Sequence, residues 1–341
     1  MTLARSEQIN LEATPFYHVM NRCVRRSWLC GYDKLTQTDY SHRKEWIVDR
    51  LKYLADIFAI KICAYAIMNN HYHVVLHVNE KETEQWTDEE VIRRWSCIFK
   101  KDAEDNQHLK HKIKLWRERL TSVSWFMRCL NEKIAREVNE EDDCKGRFWE
   151  GRFKSQALLD EAALLSAMVY VDLNPIRAGI TSIPEESEFT SIHERIQFIS
   201  KHLTHPKQTP IKQTKRETTD IVDKLPQPKG LVPFAIITEN QSYAIDFKLS
   251  DYLELIDYTG RTIREDKQAG SIPEHLHSIL TRLHSQPDHW ISFVKNLSTT
   301  FSHAVGSEIL LINFAKKANR KGSLKGTGQA NKFYSPYIQS A

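Results

Sequence analysis

Over residues 1–200 the hydrophobic pattern switches between a period of two and a period near 3.6, the signatures of strand and helix. Phe16 to Val24 (FYHVMNRCV) reads as a strand. Asp39 to Phe58 predicts a helix, with Trp46, Ile47, Leu51, Leu54 and Phe58 at helical spacing. Ile60 to Met68 is a second strand. Asn69-Asn70 separates it from a third, His71 to Val78, as a hairpin turn does. Residues 80–120 are polar and charged, carry Trp86, Trp95 and Trp116, and read as short helices inserted in the domain. Ser122 to Glu140 is amphipathic, with Thr121 or Ser122 placed to cap it. Phe148 to Leu158 reads as a fourth strand and Glu161 to Asn174 as a helix. Strand, helix, two strands, helix, strand, helix is an α+β order. It suggests a ferredoxin-like antiparallel sheet with helices on one face.

The pattern breaks near residue 200. His202 to Gly230 is rich in Lys, Thr and Pro and reads as a linker. Beyond it lie helix candidates at Leu249–Arg264, Pro273–Leu283, Trp290–Phe301 and Glu308–Asn319, and a basic tail, Lys316 to Lys325, that reads as disordered. The expected organisation is an α+β domain over 1–200, a linker over 201–230 and a mainly helical region over 231–341.

Composition narrows the class without naming a function. With 41% hydrophobic and 27% charged residues among 341, the chain is expected to be globular. No apolar run approaches the roughly 20 residues that span a bilayer, and Met1 to Glu12 has no apolar signal core, so a cytoplasmic protein is expected. None of the six cysteines forms a Cys-x-x-Cys pair, which argues for buried, reduced thiols over structural zinc. A formal charge of +4 is compatible with a nucleic-acid partner.

The candidate chemistry begins in the third strand. Alternate residues of a strand share a face, so Tyr72, Val74, Leu76 and Val78 form an apolar side and His71, His73, Val75 and His77 the other. His71 and His73 then project together, roughly 7 Å apart at the backbone, and can converge on one ion. His77 is too far along to join without a bend. The alternative is an exposed face of hydrogen-bonded histidines.

In Glu161 to Ile180, Leu164, Leu165, Met168 and Val171 make an apolar stripe, while Ser166, Tyr170 and Asn174 recur at spacing four on another side. Tyr170 is a candidate nucleophile; its unperturbed pKa near 10 means it needs help, part of which a metal on the phosphate can supply. Asn174 offers a third metal ligand or, before Pro175, an N-cap. Arg177 is a phosphate-binding candidate. Gly146 to Lys154 (GRFWEGRFK) interleaves Arg147, Arg152 and Lys154 with Phe148, Trp149 and Phe153, a combination suited to phosphates and unpaired bases; ordinary aromatic packing is the competing reading. Arg22, with Arg25 and Arg26, forms a second basic cluster.

Together and in order, Phe16-Tyr17-His18-Val19-Met20-Asn21-Arg22, Met68-Asn69-Asn70-His71-Tyr72-His73, Gly151-Arg152-Phe153-Lys154-Ser155 and Tyr170-Val171-Asp172-Leu173-Asn174-Pro175-Ile176-Arg177 resemble the REP-associated tyrosine transposases of the HUH single-strand DNA transposase superfamily. The resemblance covers roughly residues 10–200. It implies a ferredoxin-like nuclease core and Mg²⁺ or Mn²⁺ held by His71, His73 and Asn174. It also implies attack by Tyr170 on single-stranded or hairpin DNA, leaving a covalent 5′-phosphotyrosine and a free 3′-hydroxyl. The insert at 80–120 and the region after 230 depart from that pattern. Two other readings stay open: a domesticated DNA-binding protein that does not cleave, and a metal-dependent hydrolase of small phosphoesters. A nucleoid-associated protein is expected, as a monomer or a homodimer.

Overall fold

The computed structural model describes the chain except residues 1–6, 25–29, 34–36, 101–107, 204–214, 236–243, 264–278, 284, 321 and 335–341. The fold is α+β. Its main sheet has five strands, mostly antiparallel, in the order β4-β5-β1-β6-β7: β4 is Ile60–Ile67, β5 His71–Val78, β1 Phe16–Arg22, β6 Lys154–Leu158 and β7 Ala304–Val305. Tyr32–Asp33 (β2) and Thr38–Asp39 (β3) make a small second sheet. The chain forms two compact units. One comprises Met1–Ile62 and Ile67–Ser155; the other comprises Cys63–Ala66 and Gln156–Ala341. That division lies ahead of the Lys/Thr/Pro-rich stretch.

In the first unit, β1 and β5 pair antiparallel with Phe16 opposite His77, His18 opposite Val75, Met20 opposite His73 and Arg22 opposite His71. Facing residues share a side, so Tyr17, Val19, Tyr72, Val74 and Leu76 all turn to the core and are wholly buried. Met68 N–H closes the Asn69-Asn70 turn on His71 O at 2.8 Å. Helix α1 (Arg43–Ile57) and helix α5 (Val123–Glu141) supply the packing; Phe58 meets Phe126 edge to face at 5.4 Å. Ser122 caps α5, its Oγ accepting from Trp125 N at 3.4 Å. Helices α2 (Glu80–Glu84), α3 (Asp88–Ser96) and α4 (Leu109–Leu120) occupy the insert. Trp95 there stacks on Trp116 at 5.7 Å, which gives the insert an aromatic core of its own.

The second unit is built around α6 (Glu161–Asp172), followed by α7 (Asn174–Arg177), α8 (Ser191–Leu203), α9 (Lys215–Lys224), α10 (Leu249–Ile263), α11 (Pro287–Thr300) and α12 (Glu308–Lys317). Asp160 Oδ1 caps α6 by accepting from Ala163 N at 2.7 Å. Every residue from Ala162 to Asp172 is buried, so α6 has no polar face. The expected two-sided helix is corrected here: EAALLSAMVYVD is mostly apolar, its Ser166 and Asp172 are buried with the rest, and the helix is enclosed.

Two further expectations change. The stretch expected to be a linker includes α9, whose Asp223 accepts from Ser250 N and Ser250 Oγ, both at 2.9 Å, so this part is packed. The basic tail is also partly built in: Lys316 and Lys317 end α12 and Leu324 is buried. The helix candidate at 273–283 falls largely outside the described residues. The six cysteines are free thiols, four of them buried. Among the described residues no helix is long and apolar enough to cross a membrane.

Candidate functional site

The histidine face lies in the first unit. The β1–β5 register puts Phe16, His18, Met20 and Arg22 on the same side as His71, His73, Val75 and His77. The rings of His71 and His73 are 5.0 Å apart at an interplanar angle of 81°. His71 Nδ1 meets Asn70 Oδ1 at 2.5 Å. His73 Nδ1 meets His18 Nε2 at 2.9 Å, and those two rings stack at 5.1 Å. Burial, and after it the Arg22 charge, pushes the His71 imidazole down to about 4, so it is neutral at physiological pH. His77 stacks on Phe16 at 4.6 Å and is likewise pushed down to about 4 by burial; it belongs to the packing of the strand end.

Neutral imidazoles whose Nδ1 atoms are engaged are what a metal ligand requires, because an Nδ1–H that donates leaves the lone pair on Nε2. His71 meets both conditions, and His73 Nδ1 is engaged by His18, so the pair can face an ion through the Nε2 atoms. Among the described residues no group of three or more His, Cys, Asp or Glu side chains is arranged to hold a metal. Imidazole nitrogen suits Mn²⁺ more than Mg²⁺, which prefers oxygen ligands.

The basic segment adjoins this face. Glu150 N–H donates to Arg22 O at 2.9 Å and Val24 N–H to Phe148 O at 2.8 Å, so residues 148–150 run beside the end of β1. They are not strand: β6 begins at Lys154, six residues later than Phe148. Arg22, Arg147, Arg152 and Lys154 are exposed. Arg147 is partly occupied by its own turn, donating through Nε to Trp149 O at 2.7 Å and through Nη2 to Glu150 O. Trp149 stands mostly enclosed, as the competing packing reading expects. Trp149 is 8% exposed, donates through Nε1 to Asn131 O at 2.9 Å and meets Tyr72 edge to face. Phe148 and Phe153, at 2% and 8%, are equally enclosed. These rings close the end of the core, while Arg147, Glu150, Arg152 and Lys154 reach solvent. Arg25 and Arg26 lie outside the described residues.

The tyrosine lies in the second unit. Tyr170 stands on α6, 6% exposed, with the Arg177 guanidinium carbon 4.4 Å from its ring centroid. Arg177 also donates to Lys295 O at 3.1 Å. The guanidinium thus makes a cation–π contact and a backbone contact in this structure. Helix α6 stops at Asp172, and Asn174 is the first residue of α7; the flanking position belongs to Leu173, so Asn174 is not the cap.

Two residues that carried no expected role emerge. One is His18. The other is Asp172, wholly buried, which accepts from Ser191 Oγ at 2.5 Å, Ile192 N at 3.0 Å and Tyr252 OH at 2.6 Å. Burial pushes its carboxyl up to about 6 despite these donors. Nearby charge comes from Arg195, also wholly buried, which donates to Cys63 O at 3.2 Å, Val232 O at 2.9 Å and Gln227 Oε1 at 3.1 Å. Strand alternation put His18 on a face with Met20 and Arg22, a signal legible in the sequence. Asp172 gave none, because its partners are 19 and 80 residues away.

No family model matches the chain, and none of the curated proteins matches it. Among solved structures it is similar to a REP-associated tyrosine transposase bound to a REP hairpin, with 11% identity and a TM-score of 0.35, over 59% of this chain and 88% of that one. A likeness this weak says nothing of this chain's chemistry.

Proposed function

We propose that the chain is a DNA-cleaving tyrosine transposase of the HUH kind, acting on single-stranded or hairpin DNA in the nucleoid. The observation that carries this reading is the His71–His73 pair: two imidazoles on one sheet face, 5.0 Å apart, with both Nδ1 atoms engaged and His71 held neutral by burial. The place of β1 between β5 and β6 supports a ferredoxin-like core. In this reading His71, His73 and Asn174 hold Mg²⁺ or Mn²⁺. The ion would polarise the scissile phosphate and stabilise its developing charge. Arg22, which pairs opposite His71, and the exposed Arg147, Arg152 and Lys154 take flanking phosphates. Tyr170 Oη forms a bond to phosphorus as the bond from phosphorus to the 3′-oxygen breaks. The tyrosyl proton leaves and the departing 3′-oxygen gains one, so one phosphodiester replaces another and strand joining needs no nucleotide hydrolysis.

The test incubates the full chain with single-stranded hairpin oligonucleotides, with Mn²⁺ or with chelator, and resolves the products on a denaturing gel. A metal-dependent covalent protein–DNA band is expected. Full cleavage in chelator, or cleavage without a covalent band, overturns the reading. The 6% exposure of Tyr170 favours a second reading, a DNA-binding protein that does not cleave. That protein would retain hairpins without cutting them under either condition.

A further inference from the structure

We propose, resting on the metal-site reading above, that His18 is a positioning residue for His73: it accepts the His73 Nδ1 proton and so holds that imidazole with its lone pair on Nε2. Three observations converge on it. His18 Nε2 and His73 Nδ1 are 2.9 Å apart, a full hydrogen bond, and both side chains are only 3% exposed. The rings lie nearly parallel, 18° apart, so the bond fixes the plane of His73 as well as its tautomer. The β1–β5 register makes His18 the diagonal neighbour of His73, because Met20 faces His73 and Val75 faces His18.

The choice of His18 follows from what its strand offers. Of the four β1 side chains on this face, Phe16 and Met20 are apolar and Arg22 only donates. His18 alone can accept a proton strongly there. His71 is served differently, by Asn70 Oδ1, which as an amide oxygen can only accept. Both imidazoles are then held in the same tautomer, one by an amide and one by an imidazole. This is the arrangement in which outer hydrogen bonds orient metal-binding histidines. His18 touches neither metal nor DNA in this account; it acts through His73.

Long-range ¹H–¹⁵N correlation spectra of the full chain without metal, at a pH where the rings are neutral, read the tautomers directly. His73 is expected to carry its proton on Nδ1. In His18→Ala the His73 signals should move toward a mixture of tautomers, and Mn²⁺ affinity should fall by about tenfold or more. His18→Gln offers a carbonyl oxygen at similar reach and should restore both. A wild-type His73 protonated on Nε2 overturns the proposal, and that spectrum needs no variant to fold. An unchanged His73 tautomer in a folded His18→Ala chain overturns it equally. If the wild type binds no Mn²⁺ while the His73 tautomer still follows residue 18, the metal reading fails and the positioning role stands.

Discussion

Tyr252 donates its hydroxyl proton to Asp172 across 2.6 Å, and Asp172 lies two residues beyond Tyr170 on the same helix. The other end of that helix is held in the same manner. Asp160 accepts from Tyr334 OH at 3.0 Å and from Ser307 N at 3.1 Å. Residues late in the chain thus fix both ends of the helix that carries the candidate nucleophile. Tyr252→Phe should lower unfolding free energy by about 2 kcal/mol, the usual worth of a buried bond to a charged group. Denaturant unfolding measures it; an unchanged midpoint would show that Ser191 and Ile192 satisfy Asp172 without help.

Asp172 also makes stability depend on pH. Its carboxyl has an ordinary value of 3.8 and burial raises it to about 6 in the folded protein. Between those values the folded state binds more protons than the unfolded chain, so this group's contribution is full below pH 4 and is lost as pH rises through 6. At about 1.4 kcal/mol per unit, the loss approaches roughly 3 kcal/mol. Asp172→Asn carries no proton to lose. Unfolding free energies measured from pH 4 to pH 7 should therefore fall more steeply in the wild type than in the variant, and parallel curves would refute the assignment.

A chain ending at residue 230 should not keep the second unit folded. It loses Tyr252, Ser307 and Tyr334, and with them helices α10 and α11, leaving an apolar helix exposed on sides that are buried in the full chain. Exposed apolar surface of that kind drives aggregation. Amide exchange across residues 161–172 is the measure. A monomeric fragment whose α6 amides are as protected as in the full chain would show that the late region is dispensable.

What the sequence made legible was local. The His71–Val78 face followed from a period of two, and the hairpin from Asn69-Asn70, because both depend on neighbours along the strand. His18 needed the β1–β5 register as well, which no local pattern supplies. The aromatic run Phe148–Phe153 looked like a continuation of β6, since aromatic residues favour strands; instead its rings close the core beside β1. The α9 segment read as linker because its polar residues outnumber its apolar ones, yet Asp223 and Val222 secure it. For the tyrosine helix the apolar stripe was visible, but its enclosure on the remaining sides came from helices some 80 residues or more further along.

The proposed chemistry stands or falls with Tyr170. Tyr72, between the two histidines in sequence, points to the opposite side of the strand and donates to Asn131 Oδ1 at 2.5 Å; burial raises its hydroxyl far above the ordinary value, so it is a packing residue. Tyr17 and Tyr65 are strand residues whose hydroxyls are likewise raised by burial. Tyr170→Phe removes one oxygen and keeps the ring beneath Arg177, so the cation–π contact at 4.4 Å survives. Stability should change by no more than about 1 kcal/mol, and Mn²⁺ binding and hairpin binding should be nearly unchanged. The covalent protein–DNA band should vanish. If the phenylalanine variant still forms it, another of the 12 tyrosines does the chemistry. If the variant cleaves DNA without forming it, water is the nucleophile and the transposase reading fails.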